Sequence, residues 1–361
     1  MSPIGRHFLF TGDPLHTFGI IYLSKVLFEW AKILSLRPLN NYSSILHMEN
    51  KNYLVLAYYL YAPIEDPVAL SEQHLAYCKS LGLRGRIYLA NEGINGTISG
   101  TKETCEQYMA EMKANPVFKG IEFKVDEHHE HTFTRMHVRP KAELVHSGLR
   151  DPNYINPIKE TGKKLNGEAF LKLKESDEDV VILDVRSNYE TRLGKFKNSI
   201  TLDIENFREF PQKLAELEHL KDKKVVTCCT GGIKCEKASA LLLKEGFKDV
   251  YQLHNGIIGY AKDTGGKDFD GVLYVFDGRV AVPINEVNPT AIAQCAKCDK
   301  PTTRNLNCAN VECNEQFNMC EACSEEMEGA CSDACKVHPR KRPYNGTGYY
   351  TRPPVENLMN I

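Results

Sequence analysis

The chain has 361 residues and a formal net charge of -2, with 42% hydrophobic and 25% charged residues. That length accommodates two or three domains with ordinary cores. The near-neutral balance excludes a polyanion partner held by bulk charge, so any such partner must meet a local patch. Of the 13 cysteines, eight crowd into the last quarter at metal-like spacing. With no convincing secretion signal, this points to a reducing, cytoplasmic setting rather than a disulfide framework.

Residues 1–47 read as an extension, either poorly ordered or an amphipathic helix, and a self-sufficient domain starts after Met48. Within it Phe18 to Leu36 is apolar, but Lys25, Glu29 and Lys32 interrupt it too often for a membrane span. Ile20, Leu23, Leu27, Trp30 and Leu34 recur at helical steps.

Residues 48–150 predict an α+β unit. Tyr53 to Tyr61 is a strand, Pro67 to Leu81 a helix after a proline start, and Arg86 to Ala90 and Thr97 to Ser99 are strands. Between the latter two lies the turn-forming run Asn91-Glu92-Gly93-Ile94-Asn95-Gly96. Thr101 caps a helix that runs to about Asn115, and Ile121 to Val125 completes βαββαβ, the ferredoxin-like order. Glu127-His128-His129-Glu130-His131 has metal-binding residue types, but consecutive side chains diverge, so a solvated loop is expected. Arg135, His137, Arg139 and Lys141 mark either a positive edge for nucleic acid or a surface strand facing water.

Residues 151–167, rich in Pro, Asn, Gly and Lys, read as a linker. Residues 168–268 read as a parallel-sheet α/β domain. Glu168 to Lys174 is a short helix, and Val180 to Leu183 is apolar enough for a central parallel strand. Asp184-Val185-Arg186 follows, then Glu190 and Gly194. Lys224 to Thr227 is a strand, with Cys228 as its last residue, and Ala238 to Leu243 is helical in composition. Between them lies Cys229-Thr230-Gly231-Gly232-Ile233-Lys234-Cys235, which places a thiol where a helix begins. Loop and first-turn amides converge there, favouring a thiolate and able to receive an anion or a sulfane sulfur. The plainer alternative is that Cys228 and Cys229 are ordinary buried cysteines. A cysteine phosphatase needs an Arg where Cys235 stands, which argues against that class.

Residues 269–335 begin with a hairpin signal, Val272 to Phe276 and Val280 to Val282 about Asp277-Gly278-Arg279. Then come four cysteine pairs, Cys295 and Cys298, Cys308 and Cys313, Cys320 and Cys323, Cys331 and Cys335. Eight soft thiolates suggest two closed structural zinc sites, with the sharing of pairs left open. The tail, 336–361, carries Arg340, Lys341 and Arg342 with Tyr344, Tyr349 and Tyr350, a mixture suited to phosphates and stacked bases or to a solvated tail.

The Cys229 loop resembles the active loop of rhodanese domains, with Gly232 and Lys234 on the family's glycine and basic positions. Asp184, Arg186, Glu190 and Gly194 upstream, and Gly246-Phe247 and Leu253-His254-Asn255-Gly256 downstream, resemble its flanking motifs. Gly85-Arg86-Ile87-Tyr88-Leu89-Ala90-Asn91-Glu92-Gly93-Ile94-Asn95-Gly96, then Cys229 to Lys237, then a cysteine-rich end, together resemble the bacterial tRNA uridine(34) hydroxylase family over roughly Met48 to Cys335. The resemblance implies an oxidoreductase of monooxygenase type that converts wobble uridine to 5-hydroxyuridine. It implies Cys229 as nucleophile, able to carry a persulfide, with Asp184 and Arg186 as loop support. Molecular oxygen is then the co-substrate, the tRNA anticodon region the partner, and a sulfur donor or reductant a further one. No flavin, haem or non-haem iron motif is seen, and no membrane partner is expected. A thiosulfate or persulfide sulfurtransferase, and a zinc-stabilised RNA- or protein-binding adaptor, are the alternatives.

Overall fold

The computed structural model of the chain describes residues 51–348. The 1–47 extension with its apolar face, Tyr349, Tyr350 and the end of the tail lie outside the described residues. Strand β1 (Tyr53–Tyr61), helix α1 (Pro67–Ser80), strands β2 (Arg84–Ala90) and β3 (Gly93–Thr101), helix α2 (Lys102–Ala114) and strand β4 (Glu122–His128) follow the βαββαβ order. Strand β5 (Met136–Pro140) adds parallel to β2, and the sheet runs β4-β1-β3-β2-β5.

Local chemistry sets the helix starts. Asp66 accepts from the amides of Val68 and Ala69 at 3.0 and 2.9 Å, and Pro67, with no N–H to satisfy, takes the first turn of α1. Thr101 accepts from the Thr104 amide at 3.3 Å and opens α2. Both helices cover one sheet face, where Leu54, Leu56, Tyr58, Ile87, Leu89 and Ile98 are buried against Cys78, Cys105, Tyr108 and Met112. Only Asn91 and Glu92 form the β2–β3 turn. Gly93 to Gly96, a run of turn formers, is strand, because it pairs with β1 on one side and β2 on the other. Two ladders outweigh local preference.

The second sheet is parallel. The elements of its domain are β6 (Lys163–Leu165), α3 (Gly167–Lys174), β7 (Val180–Asp184), α4 (Asn188–Thr191), β8 (Gly194–Phe196), β9 (Ile200–Thr201), 3-10 turns over Phe207–Leu220, β10 (Lys224–Cys228), α5 (Ile233–Lys244), β11 (Asp249–Leu253) and α6 (Gly256–Thr264). Strand order is β6-β11-β10-β7-β9, and β8 stands outside it. One face packs Phe207, Phe210, Leu217, Leu241 and Leu242, the other Phe170, Val226, Leu253, Ile257 and Tyr260. Burial on both sides is why Val180 to Leu183 reads as an unbroken apolar run.

The stretch 151–167 departs from the linker expected of it. Ile155 is buried in the parallel-sheet core, and Lys163–Leu165 is that sheet's edge strand, paired with β11. A three-residue strand with two lysines has no alternation to read; backbone pairing alone makes it one.

Strand β12 (Phe269–Gly271) pairs with β8, and β13 (Leu273–Tyr274) pairs with β14 (Ala281–Val282) in the hairpin that its glycine-bearing turn predicts. Strands β15 (Asn305–Asn307) and β16 (Gln316–Asn318) and helices α7 (Glu321–Glu326) and α8 (Asp333–Lys336) build the cysteine-rich end. Its core is small, with Cys295, Leu306, Met319, Cys323 and Met327 at the centre. No described helix is long and apolar enough to cross a membrane.

Candidate active site

Cys229 follows the C-terminal end of β10, and α5 starts four residues later. Gly232 sits between them with φ +98° and donates its amide to the Cys229 sulfur at 3.2 Å. Burial works against ionising this thiol. The Cys235 thiol, the Lys234 ammonium and the amides of Cys235 and Lys234 outweigh that penalty and bring it down to about 7. Cys228, one residue earlier, points into the opposite core among Phe170, Val226 and Ile257. Burial pushes its thiol far up, as it does that of Cys235. Of the three neighbouring sulfurs, Cys229 is therefore the one prepared to ionise.

The loop is held from beneath. Gly256, at φ +63°, lies so close that a Cβ there would sit 2.5 Å from the Cys229 carbonyl oxygen. The Ile257 and Ile258 amides donate to the carbonyls of Cys229 and Thr230 at 2.9 and 3.1 Å. This accounts for the glycine of the His254-Asn255-Gly256 motif. Asp184 and Arg186 form a fully buried bidentate pair, and Arg186 also donates to the Gly194 carbonyl at 2.7 Å, tying β7 to β8. Contact with the loop itself runs through Glu190, which accepts from Thr230 at 3.4 Å and pairs with Lys234.

The antiparallel sheet completes the site. Its helix-free face carries Tyr59, whose hydroxyl donates to Glu236 of α5 at 3.0 Å, while Tyr61 donates to the Ile233 carbonyl at 3.4 Å. A Cβ at Gly232 would lie 2.9 Å from the Tyr59 hydroxyl. Lys237, 1% exposed, pairs with Glu92 and with Glu143, each at 3.0 Å. Thus the Asn91-Glu92-Gly93 turn and the Cys-loop helix, far apart in sequence, meet at a buried ion pair.

Cys229 is 1% exposed, yet its side of the loop is not sealed. It lines a cavity of about 250 Å³ together with Tyr59, Lys124, Thr230, Lys234 and Phe276. A larger groove of about 930 Å³ adjoins it, lined by Arg84, Arg86, Arg135, His137, Arg139 and Arg279. Arg86, Tyr88, Phe276, Asp277 and Arg279 border both. Strand register explains the groove: Arg86 stands opposite His137 and Tyr88 opposite Arg139, so the basic side chains of β2 and β5 share a face. Arg84, Arg86, Arg135 and Arg139 have no carboxylate partner among the described residues. Lys141 lies over the Tyr88 ring at 5.2 Å, and exposed Phe276 carries Lys234 at 5.8 Å from its centroid.

Of the residues expected from sequence, Cys229 and Lys234 line the cavity, Arg135, His137 and Arg139 line the groove, and Lys141 lines neither; Lys124, Phe276, Arg279 and the placement of Arg84 and Arg86 were not expected. The alternation of Arg84, Arg86 and Tyr88 with apolar residues was the available signal. The His128 to His131 segment lies along the same groove, and no metal-sized cluster includes it among the described residues.

The eight distal cysteines form two interleaved sets, Cys295, Cys298, Cys320 and Cys323, and Cys308, Cys313, Cys331 and Cys335. Within each set all four sulfurs lie within 4.8 Å of one another. Cys298 to Cys320 and Cys331 to Cys335 are 3.8 Å and Cys313 to Cys331 is 3.7 Å. Tetrahedral thiolates about 2.3 Å from a zinc ion would stand about 3.8 Å apart, so both sets fit a metal ion. The neighbouring basic residues, expected to bind nucleic acid, are otherwise engaged. Arg340 pairs with Glu312 at 3.0 Å, Lys341 pairs with Glu328, and Arg342 donates to the carbonyls of Ala309 and Cys308. They brace the second cysteine set, a use of charge that only the folded neighbours reveal.

An activated cysteine loop on a parallel sheet, closed over by an acylphosphatase-like sheet, defines a rhodanese-type site with an added module. Three family models match accordingly: the UPF0176 acylphosphatase-like domain over 53–144, the rhodanese-like domain over 168–263 and the rhodanese C-terminal segment over 270–336. A tRNA uridine(34) hydroxylase of Cytophaga hutchinsonii is 55% identical over 302 residues, covering 84% of this chain and 96% of that one. Proteins of the same name from Bacillus mycoides and Staphylococcus aureus are each 50% identical, covering 81% of this chain and 92% of theirs. The chain belongs to the tRNA uridine(34) hydroxylase family.

Proposed function

We propose that this protein hydroxylates the wobble uridine of tRNA to 5-hydroxyuridine, as a monooxygenase-type enzyme using molecular oxygen, with Cys229 as the reacting sulfur. One observation carries the reading: an ionisable sulfur lines a cavity whose border is shared with an arginine-lined groove. Exposed arginines suit the phosphates of an anticodon loop. Phe276 and Tyr88 at the shared border offer faces on which an unstacked base can slide inward. The inner cavity has room for a single base, so the uridine must leave its stack to reach the sulfur.

The residues then divide their work. Glu190 holds Lys234 and Thr230 in place, and Lys234 with Cys235 and the loop amides brings the Cys229 sulfur to about half ionisation near neutral pH. The same amides would receive a sulfane sulfur, which leaves a place for a persulfide and for a thiol or sulfur donor as partner. The two four-cysteine sets would hold structural zinc, which would supply folding energy to a segment with a small apolar core. A tRNA substrate places the protein in the cytoplasm.

The test incubates the protein with unmodified tRNA, with and without oxygen, and analyses nucleosides by mass spectrometry. The expected result is 5-hydroxyuridine only with oxygen, and none with Cys229→Ser. Full activity of that variant would end the scheme. Thiocyanate from thiosulfate and cyanide, with tRNA left unchanged, would establish a sulfurtransferase instead.

A further inference from the structure

One cation in the Cys229 cavity has no role so far. Lys124 is the middle residue of Phe123-Lys124-Val125 on β4, where Phe123 and Val125 pack toward the helices and Lys124 faces the other way. In an open sheet it would meet water. Here it is 7% exposed, stands beside Ala57 of β1 and lines the cavity with Cys229. Its ammonium lies 4.8 Å from the centroid of the Tyr59 ring, and Tyr59 is itself fixed by Glu236. Among the described residues no carboxylate lies within ion-pair distance of it, and Glu122, two residues back on β4, acts on it only at longer range. Lys234, the other ammonium of the cavity, is already paired with Glu190.

Burying an unpaired cation is costly, and it is retained where charge is needed. Phosphates are served by the exposed arginines outside, which leaves Lys124 to face the base itself. Burial brings its ammonium down to about 8, with the Cys229 charge acting the other way, so it stays mainly protonated near neutrality.

We propose that Lys124 is a catalytic residue of this site, donating to the O4 carbonyl of the bound uracil and holding the negative charge that forms there when the Cys229 sulfur adds to C6. In that step the thiolate lone pair makes the S–C6 bond and the C5=C6 π pair becomes the C4=C5 bond. The C4=O4 π pair moves onto oxygen. No oxidant or proton is consumed, and the enolate is electron-rich at C5, the carbon that gains oxygen. The inference rests on the hydroxylase reading above.

The test compares wild type, Lys124→Gln and Lys124→Arg in single-turnover hydroxylation of tRNA. It also measures tRNA affinity, Cys229 alkylation against pH, and trapping by tRNA carrying 5-fluorouridine at the wobble position. Fluorine cannot leave as a proton does, so the C6 adduct persists. Loss of one such charge-holding donor predicts about a 100-fold slower rate for Lys124→Gln. That variant should keep its tRNA affinity and give no trapped adduct, and Lys124→Arg should recover part of the rate. The alkylation midpoint, set mainly by Cys235, Lys234 and the loop amides, should rise by less than in Lys234→Met, since the Lys124 and Cys229 charges attract each other. A Lys124→Gln rate close to wild type, a wild type that forms no adduct, or alkylation that falls in step with hydroxylation would each overturn the role. Wild-type protein that leaves tRNA unmodified would remove the hydroxylase reading itself, a result seen before any variant is compared.

Discussion

Replacing Lys237 by Met keeps most of the side-chain volume and removes the charge that joins the two sheets. The ammonium is 1% exposed and contacts Glu143, itself 3% exposed, and the less buried Glu92. Without it Glu143 still accepts from the Ser147 amide and hydroxyl at 3.0 and 2.7 Å, from Gly148 at 3.2 Å and from Arg150 at 3.1 Å. Glu92 keeps the Leu144 amide at 2.7 Å. Breaking a buried pair from one side costs about 3–5 kcal/mol, and so many remaining donors put this case at the low end, about 3 kcal/mol. At about 2.1 cal/mol/K of unfolding entropy per residue, that is a fall of roughly 4 °C in melting temperature for a chain of this length. Calorimetry of Lys237→Met, Glu143→Gln and the double variant measures it, the double being destabilised by less than the sum of the singles. Strictly additive effects, or an unchanged melting temperature in Lys237→Met, would refute the reasoning.

Four further outcomes follow from the same contacts. Burial would raise the Glu143 carboxyl, but Ser147 and Lys237 bring it down to about 2 from 4.5, so its stabilisation is complete above pH 4.5 and lost as pH falls toward 2. Acid titration followed by circular dichroism should show that loss, smaller and complete at a higher pH in Lys237→Met, where the folded carboxyl is held down less. Iodoacetamide should alkylate Cys229 with a midpoint near pH 7, and Lys234→Met, lacking the ammonium that favours the thiolate, should shift it upward. Elemental analysis should find zinc in both cysteine sets, with Cys298→Ser and Cys313→Ser each emptying one set and sparing the other. Arg86→Glu combined with Arg139→Glu should weaken tRNA binding and flatten its salt dependence by about one unit per lost phosphate contact. An unchanged slope would move the RNA elsewhere.

Much of the site was readable because its signals are local. A β-branched run, a cysteine, two glycines and a leucine-rich helix are contiguous, and their geometry follows from strand end, tight loop and helix start. The eight distal cysteines were readable as ligands for the same reason, but their sharing was not. The sets interleave, so Cys295 and Cys298 join Cys320 and Cys323 across the intervening Cys308 and Cys313. Arg340 to Arg342 looked like a nucleic-acid tail because sequence shows charge but not the Glu312, Glu328 and carbonyl partners that consume it. Residues 163–165 looked like linker because edge pairing leaves no mark on so short a segment.

By itself the sequence determined the two kinds of sheet, the order of their elements and the thiol at a helix start, since these depend on spacing, capping and turn chemistry between near neighbours. Only the tertiary structure decided what faces that thiol. The helix-free side of the first sheet turns Lys124, Tyr59 and the β2 arginines toward a loop more than a hundred residues away, and the Lys237 ion pair holds the approach. Whether a side chain on a strand meets water or a reacting sulfur depends on which surface covers that face, and alternation along one strand carries no record of it.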